Sequence, residues 1–123
     1  MVKNVLIVDD SRIMRSIVKS YFDELKISCQ YFEAADGEEA WWMLLREQMH
    51  LVLLDWNMPK LSGLGFLMRA RAINKYKQLP IIMVTSEKAR FNVIQALKAG
   101  ATDYIIKPIN SRQFAEKLNK IKL

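Results

Sequence analysis

Three apolar runs of this chain end on acids or hydroxyls instead of fading into loops. VLIV (Val5 to Val8) stops at Asp9-Asp10, LVLL (Leu51 to Leu54) runs straight into Asp55, and the run that begins at Ile81 ends in Thr85-Ser86. A fourth run, Tyr104 to Ile106, is followed by Lys107 and Pro108. Taken singly, each has a plainer reading: Asp10 as the cap of a helix, Thr85 as the start of a turn, Lys107 as a solvated residue ahead of a proline. Taken together they describe chemistry. Three carboxylates converging in a cleft repel one another by about 4 kcal/mol per pair at roughly 4 Å and an effective dielectric near 20, so a cation must offset them. Hard oxygen ligands, with waters and room for a phosphate, suit Mg²⁺ better than Zn²⁺. A carboxylate beside such an ion and the Lys107 ammonium is a nucleophile able to accept a phosphoryl group as an acyl phosphate.

The elements that must hold these groups read as strands alternating with helices. The strands are Val5 to Val8, Cys29 to Ala34, Leu51 to Leu54, Ile81 to Thr85 and Tyr104 to Ile106. Apolar residues recur at helical spacing through Ile13, Ile17, Tyr21 and Leu25 in the first helix, Val93, Ile94 and Leu97 in the fourth, and Phe114, Leu118 and Ile121 in the fifth. Asp36-Gly37 and Asn110-Ser111 are helix-opening signals, and Gly100 closes the fourth helix. Strict alternation with near-continuous apolar strands predicts an α/β fold of three layers: a doubly wound, five-stranded parallel sheet with helices on both faces. In such a sheet ligands bind outside the carboxyl ends of the strands, where the polar residues above fall.

At 123 residues the chain is sized for one domain with a real core. We read residues 1–123 as a single domain without an output domain. No apolar run approaches the roughly 20 residues that span a bilayer, and the start MVKNVLIVDD turns acidic too early for a signal peptide. A cytoplasmic protein without membrane insertion is expected. Cys29 is the only cysteine, which excludes an internal disulfide and a Cys-based metal site. The net charge of +6 is densest from Lys88 onward, where eight lysines and arginines face only Asp103 and Glu116, suggesting a basic face, either solvated or an output surface for an acidic peptide.

Gly63-Leu64-Gly65 begins like a dinucleotide fingerprint, but Met68 replaces the third glycine, so it reads as a turn and helix start. A flavodoxin would need a Ser/Thr/Gly-rich phosphate loop after the first strand, where Asp9-Asp10 would repel a phosphate. His50, the lone histidine, reads as a surface or capping residue at the end of the second helix. In that helix Trp41 and Leu44 are placed on the sheet side, leaving Trp42, Leu45 and Met49 on another face, where Trp42 either covers a neighbouring helix or forms a contact patch.

The segments VLIVDDS, LLDWNMP, IMVTSE and YIIKPI resemble the four signature segments of response-regulator receiver domains of two-component signalling. The similarity runs over essentially the whole chain and is nearest to single-domain chemotaxis regulators of the CheY type. It implies the flavodoxin-like strand order 2-1-3-4-5, of which CheY is itself a standard example. It further implies that Asp55 is the phosphoacceptor; that Asp10, Asp55 and the backbone carbonyl of Asn57 ligate Mg²⁺, with Asp9 acting through a water; and that Lys107 pairs with the phosphoryl group. Thr85 would turn inward to bond that group, and Tyr104 would change rotamer with it, carrying the signal to the face of the fourth helix, fifth strand and fifth helix. Asn57 and Glu87 occupy the positions that set phosphoryl lifetime, and Lys107-Pro108 matches the family's cis peptide.

Haloacid-dehalogenase-type phosphatases place a second aspartate two residues after their phosphoaspartate. Here Asn57 stands there and cannot shuttle a proton, so a switch is expected, not an enzyme. Polar Asn57 and Glu87 suggest a fairly short-lived signal. The expected partners are a histidine kinase, a target protein such as the flagellar motor switch, and a phosphatase, with the protein a monomer and no DNA bound. Alternatives are a single-domain relay or phosphate-sink receiver, and a scaffold that works without phosphorylation.

Overall fold

A computed structural model describes residues 2–86 and 90–121. Strand β1 (Lys3–Val8) is followed by α1 (Arg12–Glu24), β2 (Cys29–Ala34), α2 (Gly37–Arg46), β3 (Leu51–Asp55), α3 (Gly63–Arg71), a short 3₁₀ turn (Asn74–Tyr76), β4 (Ile81–Ser86), α4 (Arg90–Lys98), β5 (Asp103–Lys107) and α5 (Ser111–Ile121). All pairings are parallel, in the order β2-β1-β3-β4-β5, the order the resemblance implies. The central strand β3 is buried over its whole length, which is why Leu51 to Leu54 shows no polar alternation.

Side chains alternate across the sheet and divide the core in two. Val5, Ile7, Leu51, Leu53, Ile82, Val84 and Ile105 face Val18 and Phe22 of α1 and Phe114 and Leu118 of α5. Leu6, Val8, Val52, Leu54, Ile81 and Met83 face α2 and α3, with Ala96 of α4. Phe22 meets Phe114 edge-on at 4.9 Å, and Trp41 meets Phe66 at 5.6 Å. Each such ring contributes on the order of 1.5–3 kcal/mol through burial. Asp36 and Asn110 cap α2 and α5 through bonds from the N–H groups of Glu39 and Gln113. Gly100, at φ +105°, closes α4, a left-handed conformation suited to glycine.

Several expectations about helix faces need correction. In α1 the buried residues are Val18 and Phe22, while Ile13 is 74% exposed and Leu25 38%. The stripe Ile13-Ile17-Tyr21-Leu25 therefore lies beside the core face: α1 carries two adjacent apolar rows, the other one buries Val18 and Phe22, and Tyr21 borders the core with its ring 5.5 Å from that of Phe114. In α4 only Ala96 is fully buried, and Ile94 and Leu97 face solvent. Trp42 and Leu45 are exposed as an outward face, but Met49 lies beyond the end of α2 and packs into the core. His50 also follows α2; its Nδ1 accepts a bond from the Asn4 N–H at 2.9 Å, tying the start of β3 to β1.

Candidate functional site

The carboxyl edge of the sheet is assembled from strand ends whose backbones are pinned. Asp9 follows β1, and its N–H donates to the Ala34 carbonyl at 3.1 Å. Its carboxylate accepts from the Ser11 N–H at 2.9 Å, and Ser11 in turn caps α1 by accepting from Met14 N–H. Ser11, not Asp10, is thus the cap, which leaves the Asp10 carboxylate available to the cleft. Arg15 donates to the Asp9 carbonyl and is held by Glu33, which also pairs with Lys19. The bonds from Lys19 and Arg15 keep the Glu33 carboxyl below its ordinary pKa against the opposing effect of burial. None of this buttress was legible as function; a serine directly ahead of an amphipathic run is the signal that could have pointed to Ser11 as the cap instead of Asp10.

Asp55 ends β3, and the chain then turns sharply. Trp56 N–H donates to the Val84 carbonyl at 2.9 Å, and Gly63 N–H donates to the Trp56 carbonyl at 3.0 Å. A Cβ on Gly63 would lie 2.2 Å from the Asp55 carbonyl oxygen. Only glycine lets the start of α3 approach the end of β3 so closely. Gly63 opens that helix under a Ser62 cap, which accounts for the Gly63-Leu64-Gly65 motif without a nucleotide.

These elements bring carboxylate oxygens of Asp9, Asp10 and Asp55 within 4.8 Å of one another. Lys107 reaches in from the end of β5, with Nζ 3.3 Å from Asp55 Oδ1 and 3.5 Å from Asp9 Oδ2. Three carboxylates against one ammonium leave a net of two negative charges when all are ionised. Burial, then repulsion from Asp9, pushes the Asp55 carboxyl up to about 6 despite the opposing pull of Lys107. Burial draws the Lys107 ammonium down, but the charges of Asp55 and Asp9 outweigh it and its pKa ends above normal. The donor set is all hard oxygen, as a divalent cation such as Mg²⁺ requires.

Thr85 lies at the buried end of β4 and is 3% exposed. By strand alternation it shares the α3/α4 side of the sheet with Met83 and with Tyr104, whose register partner is Met83. Tyr104 is half-buried on the edge strand β5. Asn57 is exposed in the loop after β3 and, with Asp10 and Trp56, lines a cavity of about 380 Å³. The Lys107-Pro108 peptide is cis. Glu87 lies outside the described residues. The basic face read from the sequence is split: Lys107 turns into the acid cluster and Lys117 pairs with Asp103 at 2.9 Å. A second cavity, about 580 Å³, borders Lys107 and is lined by Met14, Ile17 and Tyr21 of α1 with Pro108 and Ile109. Ile17 and Tyr21, from the row beside the core face of α1, line it, while Ile13 of that row faces solvent.

The sequence matches the response regulator receiver domain family over residues 5–119. It is 42% identical over 118 residues to the chemotaxis protein CheY homolog of Campylobacter jejuni, covering 95% of this chain and 90% of that protein. The chemotaxis protein CheY1 of Helicobacter pylori is 41% identical over 118 residues, covering 95% and 94%. The solved structure of the chemotaxis response regulator CheY4 of Vibrio cholerae superposes with a TM-score of 0.88 at 29% identity, over 98% of this chain and 99% of that one.

Proposed function

We propose a function that proceeds from one fact: the chain belongs to the response regulator receiver domain family and is a receiver of the CheY type. In this reading Asp55 accepts a phosphoryl group from a phosphohistidine of a histidine kinase. The bond from phosphorus to the donor imidazole nitrogen breaks as a bond to an Asp55 carboxylate oxygen forms. The observation that carries the reading is the convergence of Asp9, Asp10 and Asp55 within 4.8 Å, with Lys107 3.3 Å from Asp55.

With its carboxyl at about 6, Asp55 is mainly ionised at neutral pH and so able to attack. A Mg²⁺ held by the carboxylates of Asp10 and Asp55 and the backbone carbonyl of Asn57, with Asp9 acting through a water, would supply charge neutralisation at the phosphoryl oxygens. Lys107 transfers its ion pair from the Asp55 carboxylate to the phosphoryl group, and the Thr85 hydroxyl donates a hydrogen bond to it. Tyr104, on the same side of the sheet as Thr85, then changes rotamer and alters the surface of α4, β5 and α5. Phe91, Ile94 and Leu97 of α4 are 69%, 46% and 45% exposed there, apolar area that a protein partner would cover. The relatives are named as chemotaxis proteins, which favours a target in chemotaxis such as the flagellar motor switch.

Asn57 offers no proton shuttle, so Asp55 phosphate would hydrolyse slowly relative to a phosphatase intermediate, though polar Asn57 keeps the signal fairly short-lived, and the protein is a switch, not a phosphatase. Trp56 adjoins Asp55 and lines the cavity beside it, so its fluorescence tests the reading. Mg²⁺ and then acetyl phosphate should each change the signal. In Asp55→Asn the response to acetyl phosphate should vanish; a response that survives unchanged contradicts Asp55 as the acceptor.

A further inference from the structure

Around Tyr104 three side chains form a unit that the phosphoacceptor chemistry does not use. The Lys117 ammonium lies 4.2 Å from the centroid of the Tyr104 ring. The same ammonium bonds Asp103 Oδ1 at 2.9 Å, and that oxygen also accepts the backbone N–H of Tyr104 at 2.8 Å. The Lys117 and Asp103 side chains are only 14% and 16% exposed. The pair is therefore less screened than a surface ion pair, and the ammonium is held at one place over the ring. One turn earlier on α5, the Gln113 amide faces the Ile106 peptide; with its oxygen and nitrogen exchanged, the orientation that satisfies both groups, it donates to the Ile106 carbonyl at 3.1 Å and accepts from the Ile106 N–H at 3.3 Å. Gln113 and Lys117, four residues apart, thus fasten α5 to both ends of the β5 segment that carries Tyr104.

We infer that Lys117, fixed by Asp103, is a positioning residue that locks the Tyr104 ring in its present rotamer and so sets how readily the switch is thrown. This rests on the reading that Tyr104 moves on phosphorylation. A ring that leaves this position gives up its contact with the ammonium, while Asp103 continues to hold both the ammonium and the Tyr104 N–H. The lock opposes ring movement without involving the metal, Asp55 or Lys107. Removing the charge while keeping the aliphatic stem should move the rotamer equilibrium toward the switched state by about two- to tenfold, the range set by cation–π strength at partly buried sites.

The test uses the whole chain labelled with 3-fluorotyrosine, with the Tyr104 signal assigned by Tyr104→Phe among the four tyrosines. Fluorine spectra are recorded without ligand and after loading with Mg²⁺ and beryllium fluoride, a phosphoryl mimic. Lys117→Met should shift the unloaded Tyr104 resonance part of the way to its loaded position, and Lys117→Arg, which keeps a cation, should not. A merely structural role would lower the thermal midpoint and leave the resonance in place. If wild-type Tyr104 responds to loading but Lys117→Met leaves the unloaded resonance unchanged, the lock is overturned. If wild-type Tyr104 does not respond while Trp56 fluorescence does, Tyr104 is not the moving ring, and the lock falls with that reading.

Discussion

The two ends of the same sheet are held by opposite means. At the amino end the strands are joined by bonds that suit both partners: His50 Nδ1 accepts from Asn4 N–H at 2.9 Å while His50 N–H donates to the Asn4 carbonyl at 2.8 Å. Thr102 and Ile81 exchange a similar pair at 3.0 and 2.8 Å. Arg71 uses its guanidinium on the carbonyls of Gly100 and Tyr76. At the carboxyl end the same strands deliver Asp9, Asp55 and Lys107, more acid than base, to a place where Asp9 and Asp55 are each only 6% exposed. Nothing in folding alone calls for that arrangement. The carboxyl edge is held against its own repulsion by the strands beneath it, and the groups proposed for chemistry there are separate from those that tie the strands together at the amino end.

The sharpest way to break the comparison is at Asp55. Asp55→Asn should abolish phosphorylation by acetyl phosphate, read by intact mass, and at neutral pH without divalent ions should raise the free energy of unfolding, since it removes a buried, repelled carboxylate. Next, Lys107→Met should slow phosphorylation by roughly a hundredfold, the scale for losing one charge-stabilising group. It should also destabilise the metal-free fold by on the order of 2 kcal/mol, because Asp9 and Asp55 lose their shared counter-charge.

The pH dependence sharpens the same point. The Asp55 carboxyl is raised from an ordinary 3.8 to about 6 in the folded protein, so its contribution to stability is fully present below about 4 and is lost as pH rises through about 6. The gap between Asp55→Asn and the parent, followed by denaturant titration without divalent ions, should therefore widen from acid to neutral pH by up to roughly 3 kcal/mol. The smallest effect belongs to the amino end. His50→Ala should cost about 1 kcal/mol, the scale of a hydrogen bond left unmade, with no change in phosphorylation rate.

The carboxyl edge was legible because buried parallel strands show as apolar runs, and a polar residue placed directly after one has nowhere to go but the edge. Asp9, Asp10, Asp55, Thr85 and Lys107 all announced themselves this way. The strand order followed from the resemblance and is the one observed. Helix faces were less legible. Helix α1 carries the rows Ile13-Ile17-Tyr21 and Met14-Val18-Phe22 side by side, and spacing alone does not say which is buried. Met49 sat in phase with Trp42 and Leu45, but α2 ends at Arg46, so phase no longer governed where its side chain pointed. The basic face was only partly legible for a related reason. Charge counts along a chain carry no information about inward reach, and Lys107 and Lys117 both have long stems that bring their ammonium groups to acids, buried at Asp55 and half-buried at Asp103.

The central claim is that the acids converge in order to be modified at one of them. Incubation with Mg²⁺ and acetyl phosphate, followed by intact mass and peptide mapping after reductive trapping of acyl phosphates, tests it most directly. A single phosphoryl group is expected, on the peptide that contains Asp55, and none in Asp55→Asn. A phosphoryl group on any other residue of the parent protein, or one that persists in Asp55→Asn, would contradict it.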